Sequence, residues 1–111
     1  MFFTSLLLAA MAPAPAAEVG TARAAFTKCL RVHMKKSLDA KMSESDYEAA
    51  LKTVCTKERQ TFHAAVITLN RAAGDSAADA AENADMQVED YHANFTEKFN
   101  DYRSTNTMPA D

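Results

Sequence analysis

Two cysteines, Cys29 and Cys55, sit at matching depths in two consecutive amphipathic stretches, and no other feature of this 111-residue chain constrains its fold as strongly. From Glu18 to Leu38, Val19, Ala22, Phe26, Cys29, Leu30 and His33 recur at steps of three and four, with Arg23, Lys28, Arg31, Lys35 and Lys36 between them. That spacing predicts an amphipathic helix over about 18–38. Asp39 to Glu44 reads as a connection. Ser45, with Glu48 three residues on, reads as a capping box opening a second helix over 45–73. Its stripe is Tyr47, Leu51, Cys55, Phe62, Val66 and Leu69.

At 1.5 Å per residue, Cys29 and Cys55 each lie roughly 14 to 15 Å from the connection. Equal arms bring the sulfurs level across an antiparallel hairpin, at the separation a disulfide requires. Closing a loop of about 27 residues stabilises the fold by roughly 3.5 kcal/mol on the chain-entropy model. The register places Phe26 near Glu58 and Phe62, and His33 near Leu51.

A disulfide implies an oxidising compartment, and the N-terminus points the same way. Met1 to Met11 is nearly all apolar and runs into Ala14-Pro15-Ala16, the A-x-A form that a signal peptidase accepts. The expectation is a signal peptide over 1–16, cleaved before Ala17, and a periplasmic or secreted product. The leader departs from the usual pattern in having no Lys or Arg before its apolar run. That run is about ten residues, short of the about 20 that span a bilayer, so the mature chain is expected to carry no membrane span. A single helical domain over 17–103 follows, with a disordered tail over 104–111 containing Pro109. A domain of this size buries only about 60 to 65% of its unfolded surface, so a covalent staple supplements a thin core.

The last third has two readings. Asp75 or Ser76 caps a third helix to about Arg103, with Ala77, Ala81, Ala84, Val88, Tyr91, Phe95, Phe99 and Tyr102 on its apolar face. Folded back at Gly74, whose lack of a Cβ suits a helix C-cap, it completes an all-α three-helix bundle. Alternatively, helices two and three are continuous. Phe62, Val66, Leu69, Ala73, Ala77, Ala80, Ala84, Val88, Tyr91, Phe95, Phe99 and Tyr102 keep an unbroken eleven-residue period, as one long coiled-coil helix in an oligomer would. Charge favours the bundle: residues 17–73 hold ten Lys or Arg against six Asp or Glu, net +4, and residues 74–111 hold two against nine, net −7. Folding back also covers aromatic positions that a lone helix exposes.

Catalytic patterns are missing. The sequence has no Gly-rich phosphate loop, C-x-x-C, H-E-x-x-H or G-x-S-x-G, and bridged cysteines are not nucleophiles. No enzyme activity is expected. No cofactor is expected, and the missing C-x-x-C-H excludes a c-type haem. The histidines are His33, His63 and His92. Glu89 and His92 have the E-x-x-H spacing of di-iron bundles, but the second pair and the two further carboxylates that such a site needs are not evident. Glu89 and His92 are therefore candidates for a metal or ligand site, without a complete ligand set.

Glu58 is the polar residue on the second stripe. Buried there, it needs a partner such as Lys28 or Arg23. The basic run Arg23, Lys28, Arg31, Lys35, Lys36 and Lys41 is expected to pair with the acidic third helix, or else to face an acidic partner or anionic surface. Nucleic acid is not expected for an acidic chain whose basic face is compensated. Asn94-Phe95-Thr96 is a glycosylation sequon, without meaning in a bacterial product. The expected function is a non-catalytic exported interaction or structural module, with a protein partner or a homo-oligomer through a helical face. The alternative is a bundle binding a small ligand or metal near Glu89 and His92.

Overall fold

The computed structural model describes residues 14–110. Among the described residues the secondary structure is all α-helical: α1 (Pro15–Asp39), α2 (Glu44–Leu51), α3 (Thr56–Ala72) and α4 (Ala77–Thr105). Most of the expected leader, residues 1–13, lies outside the described residues, as does Asp111 of the tail. Pro15 opens α1, where its fixed φ fits and its missing N–H costs nothing. Cleavage before Ala17 would thus remove the first two residues of α1.

The hairpin forms with the expected pinning. Cys29 and Cys55 are joined by a disulfide with Cα atoms 6.0 Å apart. Phe26 stacks on Phe62 with centroids 5.8 Å apart, as the register requires. α3 and α4 are also antiparallel: moving along the pair, Asn70 meets Asn83, His63 meets Asp85 and Phe62 meets Tyr91. At the far end α2 runs against α4, with Tyr47 on Phe99 and Glu44 by Arg103. The core thus draws on all four helices: Val19, Phe26, Leu30 and Met34 from α1, Tyr47 and Leu51 from α2, Phe62 and Val66 from α3, and Ala84, Val88, Phe95 and Phe99 from α4. Fully burying each large side chain contributes about 1.5–3 kcal/mol.

The chain turns at Gly74, so the bundle is the fold and the continuous helix is not. Gly74 has φ +104°; its N–H reaches the Arg71 carbonyl and that of Asp75 reaches Asn70, the paired bonds of a Schellman closure. Ser76 then caps α4, its Oγ accepting from the Asp79 N–H at 3.1 Å. The eleven-residue period is a coincidence of phase across this turn. Ala73 and Ala77, which carry the pattern through it, are both exposed.

The expected second helix is two helices. It starts earlier, with Ser43 rather than Ser45 as the cap: Ser43 Oγ accepts from the Asp46 N–H at 3.2 Å. It then breaks between Leu51 and Thr56, where Cys55 takes a left-handed backbone with φ +57°. Local chemistry favours the break. Thr53 and Val54 are β-branched, and the Thr53 and Thr56 hydroxyls donate to the carbonyls of Ala50 and Thr53 in competition with the helical ladder. The break frees α2 to pack on α4 while α3 stays pinned to α1. In consequence His33 stacks on Tyr47, 5.4 Å away, one turn ahead of Leu51. Helix α4 runs two residues beyond Arg103, to Thr105, and closes on Asn106 with φ +55°.

Candidate functional site

Three elements bound a groove between α3 and α4. The α2–α3 break supplies Lys52, the first turns of α3 supply Arg59, Gln60 and His63, and α4 supplies Asp85, Val88, Glu89 and His92 around a hollow of about 530 Å³. Past Lys52, Glu89 and His92 it opens into a second hollow flanked by Glu48, Thr96, Glu97 and Asn100. Helical spacing builds the α4 wall: Asp85, Glu89 and His92 follow at steps of four and three and therefore share a face.

His92 is half-buried, with its ring edge-on to Phe26 at 6.1 Å. Burial pushes its pKa below the ordinary histidine value, the charges of Arg59 and Lys52 push the same way, and Glu89 opposes them. The neutral ring's Nε2 is buried without a hydrogen-bond partner, as are Arg59 Nε and Asn100 Oδ1. Leaving a buried polar group unpaired costs about 1–3 kcal/mol, so three such atoms along one groove are a substantial standing penalty. The fourth orphan is Tyr47 Oη, in the stack between His33 and Phe99, where burial pushes the phenol up to about 12.

At the groove's outer end His63 Nε2 lies 2.6 Å from Asp85 Oδ1. The carboxylate only accepts, so Nε2 carries the proton of this bond. Beyond it, Asn70 and Gln87 both donate to Asn83 Oδ1 at 2.8 Å, closing the seam with a polar ladder.

The expected site residues are thus partly gathered. Glu89 and His92 share the groove, but among the described residues no group of three or more His, Cys, Asp or Glu is placed to hold a metal ion. The nearby Arg59 and Lys52 also disfavour a cation beside His92. Glu58 is half-buried and takes no partner: it lines a shallow cleft beside the disulfide, while Arg23 lies over the Phe62 ring at 5.6 Å. Nor does most of the expected basic run pair with α4. Ion pairs among the described residues include His63 with Asp85 and Arg103 with Glu44, while Lys28, Arg31, Lys36 and Lys41 engage none there. The reason is geometric, because α1 packs chiefly on α3 and its charges lie on the outward face.

Arg59 and Lys52 were not singled out by sequence pattern. A signal was there for Arg59, which stands three residues before Phe62 and seven before Val66, a charged residue at stripe spacing. Among the described residues, no helix is long and apolar enough to cross a membrane. Comparison of the chain with protein-family models, curated proteins and solved structures finds no match in any of the three.

Proposed function

We propose that this chain is an exported, non-catalytic helical module of the bacterial periplasm that works by binding, with the groove between the α2–α3 break and α4 as its working surface. One observation carries the reading: three of the four residues that hold an unpartnered buried polar atom, Arg59, His92 and Asn100, line that groove. A protein selected for stability alone would fill such positions with apolar side chains; binding surfaces retain them at a cost. The Cys29–Cys55 disulfide supports an oxidising, non-cytoplasmic location, and the apolar N-terminus ending in Ala14-Pro15-Ala16 supports export.

A second reading rests on the unpaired cations Lys28, Arg31 and Lys36 with the exposed Val32 among them, a basic face of α1 suited to an acidic partner. Amide chemical-shift mapping of the isotope-labelled, disulfide-bonded chain against periplasmic fractions separates the two. Shifts clustered at 52–63 and 85–100 are expected. Shifts confined to 28–41 would move the working surface to α1.

A further inference from the structure

The opposite charges of the groove do not neutralise one another. Lys52 and Arg59 line the same hollow as Asp85 and Glu89, yet of these four only Asp85 is engaged, by His63. Arg59 Nε is shut away from solvent with no acceptor, and His92 Nε2 in the same hollow is equally unanswered. The charges of Lys52, Arg59 and Glu89 all act on His92, so the two signs stand within electrostatic reach of one ring. A simple anion entering here meets Glu89 and Asp85. A simple cation meets Lys52 and Arg59 and leaves the buried donor unsatisfied.

We propose that this hollow binds a small zwitterion of the α-amino acid class, its carboxylate held by Arg59 and Lys52, its ammonium by Glu89, and its side chain over Val88. The proposal rests on the groove being the working surface. The hollow of about 530 Å³ is of the size that small-molecule sites occupy. Charge-assisted hydrogen bonds from a guanidinium to a carboxylate are shorter and stronger than neutral ones, which suits Arg59 on the wall of the hollow.

The test titrates the disulfide-bonded chain with glycine, L-alanine and L-leucine, and with acetate and methylammonium as one-armed probes, following the side-chain resonances of His92 and Arg59. At least one of the three amino acids is expected to shift them saturably, with a Kd of about 1 mM or tighter. Each one-armed probe is expected to bind about tenfold more weakly or worse, and Arg59→Gln and Glu89→Gln each to weaken the amino acid about tenfold. Glu89 is exposed, so its variant tests the ammonium arm without disturbing the core; Lys52→Gln serves for the carboxylate arm if Arg59→Gln fails to fold. Acetate binding as tightly as the amino acids and indifferent to Glu89→Gln would overturn the zwitterion while leaving the groove as the working surface. No response to any probe also overturns it, and the shift map against periplasmic fractions then decides the groove independently.

Discussion

Helix α3 makes two seams, and they are built to different rules. Against α1 it is covalent and aromatic at its centre, through the Cys29–Cys55 bridge and the Phe26–Phe62 stack, with none of the four orphaned polar atoms on α1. Against α4 it is apolar only at its floor. The rim carries His63 with Asp85 and the Asn70, Asn83 and Gln87 ladder, then opens onto charges that pair with nothing. The contrast teaches where stability resides and where it has been given up. The first seam carries the covalent bridge; the unsatisfied polar groups gather at the second.

If that division is right, damage to the first seam should be severe. Phe26, fully buried and touching Phe62, Tyr91 and His92, should cost about 3–5 kcal/mol when replaced by alanine, read as a lower urea midpoint. Removing both cysteines as serines should cost about 2–4 kcal/mol. An unchanged midpoint would mean that apolar packing alone secures the α1–α3 seam.

The histidines sharpen the comparison through pH. Burial lowers the pKa of both His33 and His92, with Lys36 adding to the first and Arg59 and Lys52 to the second. Below the ordinary histidine pKa of about 6.5 the unfolded chain therefore binds more protons than the folded one, and stability falls as pH falls through that window. The melting temperature should drop between about pH 7 and pH 5, and His92→Gln should flatten part of the drop. A profile that rises on acidification would contradict the neutral, buried state of these rings.

The smallest expected effect lies outside both seams. Lys41 closes α1 with φ +55° in a Schellman turn, its N–H on Leu38 and that of Met42 on Ser37. A left-handed backbone costs a residue with a Cβ roughly 1 kcal/mol that glycine avoids, so Lys41→Gly should raise stability by up to about that amount. The rise is measurable in the same urea titrations.

The first seam was legible in the sequence because two cysteines and Phe26 supplied three points of one register. The turn at Gly74 was legible as chemistry but contested by pattern, since alanines at 73 and 77 look like core and are exposed. The break at 52–55 was not legible. Thr53 and Val54 each lower helix propensity by only a few tenths of a kcal/mol, too little to outweigh the periodic signal around them. What stabilises the break is tertiary, the placing of Tyr47 between His33 and Phe99. Ser43 and Ser45 both precede an acidic residue by three, and the closure at Lys41 puts the cap at Ser43. Of the groove, Glu89 and His92 were legible by spacing. Arg59 and Lys52 were not, because their convergence on one hollow depends on the same unforeseen break.

If the α3–α4 groove keeps its unpaired polar groups for binding and not for folding, removing them should cost the fold nothing. The most direct test is the unfolding free energy of the double variant Arg59→Leu, His92→Leu, with the disulfide intact. A stability equal to the parent's or higher by up to about 2 kcal/mol is expected, since two orphaned groups are removed and apolar stems retained. A loss of more than about 2 kcal/mol would show that these residues hold the fold, and would contradict that expectation.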